Sequence, residues 1–236
     1  DPKTHPYIST GLKGNKFGIA HDEVIDTYKK AASYPGLRVV GIDCHIGSQI
    51  TDSAPYLDAA DRMLDLVDAI EAAGIPLHHL DFGGGLGIDY AGDTPPSADA
   101  LWAQLFAKLD ARGYGDRQIM IEPGRSLVGN AGVCLTEVLY LKPGEDKNFC
   151  IVDAAMNDLP RPTLYQAYHS IVPVTTDATT PAVTCDVVGP ICESGDWLGR
   201  DRTLAVKAGD HLAVLSAGAY SMSMASNYNS RNRPAE

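Results

Sequence analysis

The sequence predicts an α/β unit followed by a mostly β unit. Three observations carry this expectation. Apolar, strand-like runs at residues 37–43, 77–82 and 118–122 recur about every forty residues with helical patterns between them, the alternation of a parallel sheet with crossover helices. Each run breaks into a loop that carries polar, chemistry-bearing residues. Beyond about residue 132 helical patterns become scarce, and short runs separated by turns such as Pro143-Gly144 and Ala208-Gly209-Asp210 replace them. The expected units are therefore 1–131 and 132–236.

In chain order, residues 1–15 look irregular and residues 16–20 are expected as a short strand. Residues 21–33 read as a helix with Val24, Ile25, Tyr28 and Ala32 on one side and Gly36 beyond its end. The strand at 37–43 leads to a long helix. Thr51 or Asp52 caps it, Leu57, Ala60, Leu64, Val67 and Ile70 form its apolar stripe, and Gly74 with Pro76 stop it. After the strand at 77–82, a third helix is capped by Ser97, aligns Leu101, Leu105 and Leu109, and ends at Gly113 and Gly115. The β part is expected as strands at 133–141, 149–153, 171–174, 182–188 and 211–215, with a polar tail from 226.

Bulk properties exclude several classes. A net charge of −11 argues against nucleic acid as a partner. No apolar run is long enough to cross a bilayer as a helix, and Asp1-Pro2-Lys3-Thr4-His5 does not read as a signal peptide. The five cysteines are odd in number and scattered, and none forms a C-x-x-C pair. That argues against zinc or disulfide frameworks and for a reducing, cytoplasmic home, with no metal site expected.

Four stretches carry the candidate chemistry: Cys44-His45-Ile46-Gly47-Ser48, Asp81-Phe82-Gly83-Gly84-Gly85-Leu86-Gly87, Ile121-Glu122-Pro123-Gly124-Arg125 and Cys192-Glu193-Ser194-Gly195-Asp196. Three of them lie where a predicted strand ends, the edge at which α/β sheets bind ligands. Three consecutive glycines can wrap backbone N–H groups around a phosphate, though their spacing is not that of a dinucleotide fingerprint and a plain tight turn reads equally well. From the residues alone, Glu122 also reads as a strand-end carboxylate paired with Arg125. By the same standard His45 is a partly buried imidazole, Ser48 a hydroxyl opening a helix, Arg161 a surface arginine before proline, and Cys192 a small buried hydrophobe.

These stretches, with Lys13-Gly14-Asn15-Lys16-Phe17-Gly18, Arg161-Pro162-Thr163-Leu164-Tyr165, Gly218-Ala219-Tyr220 and Ser226-Asn227-Tyr228-Asn229, resemble the bacterial meso-diaminopimelate decarboxylases along essentially the whole chain. The Arg-Pro-x-Leu-Tyr and Cys-Glu-Ser-Gly-Asp pair points to that branch over ornithine and arginine decarboxylases. The resemblance implies a pyridoxal 5'-phosphate enzyme with the C-terminal portion of a (β/α)8 barrel followed by a mostly β domain. It implies the last step of lysine biosynthesis, meso-2,6-diaminopimelate going to L-lysine and CO2. By resemblance His45 stacks on the cofactor ring, and Glu122 pairs with its pyridine nitrogen. Ser48, Gly84 and Gly85 hold its phosphate, and Gly124, Arg125 and Tyr220 complete the cofactor site. Arg125, Arg161, Tyr165 and Tyr220 bind the substrate, Glu193 pairs with its distal ammonium, and Asp158 also faces an amine. Cys192 delivers the proton to the carbanion from a loop reaching the partner subunit's site, which implies a homodimer.

The resemblance also has a departure. In this family the Schiff-base lysine lies on the first barrel strand, and neither Lys13 nor Lys16 belongs to that motif. The chain therefore reads as a fragment, inactive alone, that needs an amino-terminal half. Two other readings stand beside this one: another basic-amino-acid decarboxylase of the same fold, and a non-catalytic cofactor-binding chain.

Overall fold

A computed structural model describes residues 4–11, 14–177 and 179–235. The chain divides into two compact units. One comprises the residues up to Gly87 with Thr94–Gly124, and the other Ile88–Asp93 with the residues from Arg125 onward.

The first unit is built on a three-stranded parallel sheet of β1 (Gly41–Asp43), β2 (His79–Asp81) and β3 (Gln118–Met120), in that order. The strands are shorter than the apolar runs that contain them. Helices α1 (Val24–Ala32), α2 (Ala54–Ala72) and α3 (Ala98–Ala111) alternate with them. Helix α2 forms where expected, but its N-cap is Ser53 rather than Thr51 or Asp52; the Asp52 carboxylate, one residue earlier, accepts the Ala54 N–H at 2.9 Å. It buries Tyr56, Ala60, Met63, Leu64, Val67 and Ile70, so Tyr56 rather than the half-buried Leu57 begins the stripe. Helix α3 is capped by Ser97, whose Oγ accepts the Ala100 N–H at 3.2 Å, and Leu101, Leu105 and Leu109 are buried. Ala60 to Ile70 of the α2 stripe and Leu105 and Leu109 of α3 meet Ile42, Leu77, Leu80 and Phe82 in one core, while Tyr56 and Leu101 pack with Ile50 in a smaller cluster. Burial of each large side chain there is worth about 1.5–3 kcal/mol. Residues 16–20 form bends at 16–18 and irregular chain at 19–20 rather than the expected strand, with Gly18 at φ +73°; a left-handed residue interrupts an extended run.

The second unit is a six-stranded sheet in the order β6-β9-β4-β5-β7-β8. Its strands are β4 (Cys134–Lys142), β5 (Asn148–Val152), β6 (Ile171–Pro173), β7 (Val183–Val188), β8 (Trp197–Leu204) and β9 (His211–Val214). All pairs are antiparallel except β5–β7. Val138, Cys150, Val152, Leu159, Val187, Leu198, Leu212 and Val214 form its core. Two short helices, α4 (Arg125–Val128) and α5 (Arg161–Tyr165), carry functional candidates.

Candidate functional site

In the first unit, Asp43 and Asp81 are register partners at the carboxyl ends of β1 and β2. Glu122 stands two residues past Met120, the partner of Asp81 on β3. One carboxylate oxygen from each of the three lies within 4.8 Å of the others. Desolvation at the strand end pushes the Asp43 carboxyl up, and the like charges of Asp81 and Glu122 push it further. Asp81 also accepts the Gly83 N–H at 2.9 Å, fixing the start of the glycine turn.

The turn is packed from both sides. A Cβ on Gly84 would sit closer than 3.0 Å to the Glu122 carbonyl oxygen. One on Gly85 would meet the Gly47 carbonyl in the same way, and Gly85 is also at φ +98°. Glycine is therefore required to bring the β2 loop against the loops of both neighbouring strands. The Gly84 N–H donates to His45 Nδ1 at 3.2 Å, and the Gly84 carbonyl accepts from the Tyr56 hydroxyl at 3.1 Å. His45 thus carries its ring proton on Nε2, with the imidazole exposed. The Gly85 N–H finds no acceptor among the described residues. Ser48 lies half-buried in the turn after His45, and Gly124 is exposed in the loop after Glu122. Lys16 sits in the bend region with its Nζ 5.2 Å from the Phe17 ring centroid, and Lys13 lies outside the described residues.

In the second unit, two buried arginines converge on Tyr90. Arg125, on α4, donates to the Tyr90 hydroxyl at 2.5 Å, and its Cζ lies 4.7 Å from the Tyr220 ring centroid. The Arg161 Cζ lies 4.4 Å above the Tyr90 ring. Both are 5% exposed, and no carboxylate pairs with Arg161 among the described residues. Burial and the neighbouring Arg125 charge lower the Arg161 pKa. Its Nη1 lies 2.7 Å from His169 Nε2. Tyr165 is one turn along α5 and half-buried. Tyr220 is at φ +59°, an outlier for a bulky residue. Its loop is pinned by the Gly218 N–H on the Gly129 carbonyl at 3.0 Å and the Ala217 N–H on the Gly132 carbonyl at 2.9 Å.

Cys192 and Glu193 are exposed, and Glu193 Oε2 accepts from the Tyr228 hydroxyl at 2.6 Å. Asp196, in the same motif, is buried and works inward. It accepts the Met156 N–H at 2.7 Å and the Ile191 N–H at 2.6 Å, while Thr163 of α5 donates to the Gly195 carbonyl at 2.6 Å. Asp158 is buried with both oxygens engaged, by the Ala155 N–H at 2.8 Å and by Asn157 at 2.9 Å. Its carboxylate braces the loop before α5.

Residues 1–129 match the pyridoxal binding domain of the pyridoxal-dependent decarboxylases. The chain belongs to that family. It is 57% identical to the diaminopimelate decarboxylase of Neisseria meningitidis serogroup A over 236 residues, which cover all of this chain and 57% of that protein. Against the Vibrio cholerae enzyme identity is 52%, over all of this chain and 56% of that protein. The chain thus spans a little over half the length of the curated relatives it matches. The crystal structure of Helicobacter pylori diaminopimelate decarboxylase complexed with L-lysine superposes with a TM-score of 0.91 at 42% identity, over 99% of this chain and 57% of that one. Lysine decarboxylase from Selenomonas ruminantium gives 0.84 at 25% identity, over 96% of this chain and 60% of that one. The fold is that of the C-terminal portion of the family's barrel followed by a mostly β domain.

The first unit fits the cofactor for which this decarboxylase family is named. Its donor set offers an open backbone N–H at Gly85 for an anion, acceptor-only carboxylates for a ring N–H, and an exposed imidazole anchored by its own backbone contact. Sequence reasoning missed Tyr90, which gathers the two arginines, and left His169 without a role. It also missed Tyr228 as the partner of Glu193. An aromatic residue in the Ala91-Gly92 loop gives no sign of such a role, because its neighbours come from far along the chain.

Proposed function

We propose that this chain forms part of a diaminopimelate decarboxylase that converts meso-2,6-diaminopimelate to L-lysine and CO2. The observation that carries this reading is Arg161: a buried guanidinium held by a histidine, in a chain 57% identical to a diaminopimelate decarboxylase. A buried charge without a carboxylate partner is costly, and a substrate carboxylate relieves that cost with paired hydrogen bonds.

Pyridoxal phosphate, when bound, supplies the electron sink that accepts the charge left at Cα as CO2 departs. Glu122 accepts from the ring-nitrogen proton and holds it there, with the negative charge of Asp43 and Asp81 behind it. Ser48 and Gly85 would donate to its phosphate and Gly84 would orient His45 towards it, and Gly124, Arg125 and Tyr220 are the further residues that would hold it. Arg161, Arg125, Tyr165 and Tyr220 grip substrate carboxylates. Glu193 accepts from the distal ammonium, and the Cys192 thiol delivers a proton to Cα. The barrel portion is residues 1–131 and the β domain 132–236. The exposure of Cys192 and Glu193 suits a loop that completes the partner subunit's site in a cytoplasmic homodimer.

The rival is another basic-amino-acid decarboxylase, which the likeness to a lysine decarboxylase keeps in view. Replacing Glu193 with Gln separates them. A diaminopimelate enzyme loses its discrimination at the distal centre, between meso- and L,L-diaminopimelate, by about tenfold or more, the loss of one charged hydrogen bond. Unchanged discrimination favours the rival.

A further inference from the structure

His169 is fully buried, and both ring nitrogens are engaged: Nδ1 is 2.9 Å from the Leu215 carbonyl and Nε2 is 2.7 Å from Arg161 Nη1. A carbonyl can only accept and a guanidinium can only donate, so these contacts admit one protonation state, neutral with the proton on Nδ1. The Tyr90 ring packs edge-on against the imidazole at 5.2 Å and 75°, and Arg202 holds the His169 carbonyl at 3.1 Å. We propose that His169 is a positioning residue, a neutral acceptor that aims the Arg161 guanidinium at a substrate carboxylate. The functional half of this inference rests on the reading of Arg161 given above.

The chemistry favours a histidine in this place. A carboxylate here would pair with Arg161 and neutralise the charge needed by the substrate. An apolar side chain would leave a buried N–H unsatisfied and release a long side chain with high rotamer freedom. A neutral imidazole orients the fork and leaves its charge intact. The arrangement resists protonation: burial first, then the charges of Arg161, Arg125 and Arg202, outweigh the Leu215 hydrogen bond and push the His169 pKa down to about 4.

The test has a spectroscopic and a kinetic arm. In the full chain with 15N-labelled histidine, the imidazole signal lost in H169N is that of His169. At pH 7 the proposal expects a proton on Nδ1 and a bare Nε2; the opposite tautomer, or a midpoint near the ordinary histidine value, overturns it. In the cofactor-loaded protein completed by the amino-terminal half of the Neisseria meningitidis diaminopimelate decarboxylase, H169N keeps a donor towards Leu215 but loses the acceptor for Arg161. It should raise the KM for meso-diaminopimelate about tenfold, with kcat changed less than about threefold, as expected for lost uniform binding. H169Q places an amide oxygen near the Nε2 position and should return KM to within about threefold of the starting value. Equal KM values for H169N and the unaltered protein, with R161K raised, overturn the positioning role and leave the Arg161 reading standing. An unchanged KM in R161K overturns that reading, and the functional half of the proposal with it, whatever the tautomer.

Discussion

Replacing Gly84 with alanine should damage the first unit and its site together. Gly84 is not at positive φ, so the substitution meets no intrinsic backbone strain. The cost is steric: the new Cβ falls closer than 3.0 Å to the Glu122 carbonyl oxygen. That oxygen cannot rotate away as a side chain would. The β2 and β3 ends are tied by the Phe82 N–H on the Met120 carbonyl at 3.1 Å and the Glu122 N–H on the Gly83 carbonyl at 2.7 Å. Forcing one carbon into such a place costs about 1–3 kcal/mol, and each kcal/mol lowers Tm by about 2–4 °C in a chain of this size, so a drop of about 2–12 °C follows. Gly36 is the control, because a Cβ there meets nothing within 4 Å, and alanine at that place should change stability by less than about 0.5 kcal/mol. Thermal unfolding followed by circular dichroism reads both. A Gly84→Ala transition indistinguishable from that of Gly36→Ala would refute the reasoning that this glycine exists to let two strand loops close.

Two further outcomes follow from buried polar groups. His169 is held neutral down to about pH 4 against an ordinary value of 6.5, so between those values the unfolded chain binds the extra proton and stability rises with pH. The protein should therefore lose about 3 kcal/mol relative to H169Q between pH 7 and pH 4, measured by urea unfolding across that range; parallel pH curves would contradict it. Asp196→Ala strips the acceptor from the Met156 and Ile191 N–H groups, and should cost at least about 2 kcal/mol in the same assay. A loss below about 0.5 kcal/mol would mean that Asp196 does not hold the Cys192 loop.

What could be read from the sequence was local. Helices α2 and α3 announce themselves because the apolar stripe and the residues at the helix start lie within a few turns, as the Ser97 cap shows for α3; for α2 the N-cap is Ser53, one residue past the expected Asp52. The strand ends are legible because Asp43, Asp81 and Glu122 punctuate apolar runs. Strand β8 escaped because Trp197-Leu198-Gly199-Arg200-Asp201-Arg202 does not alternate: Asp201 is left-handed and the β7–β8 register shifts twice. Helices α4 and α5 escaped because four or five residues carry no periodicity, and tertiary contacts rather than propensity hold them. The glycine triplet reads in sequence equally as a phosphate turn or a plain tight turn. In three dimensions the Gly84 N–H is taken by His45, and the missing side chains make room for neighbouring carbonyls. His169 and Tyr90 could not be recognised, because their partners lie on segments distant in sequence.

The most direct measurement exchanges this chain for the corresponding segment of the Neisseria meningitidis diaminopimelate decarboxylase and follows CO2 and lysine release from meso-diaminopimelate with pyridoxal phosphate. Lysine is the expected product, with turnover depending on Arg161 and Cys192. A chimera that folds and binds the cofactor yet releases no lysine, or that prefers ornithine or arginine, would contradict it.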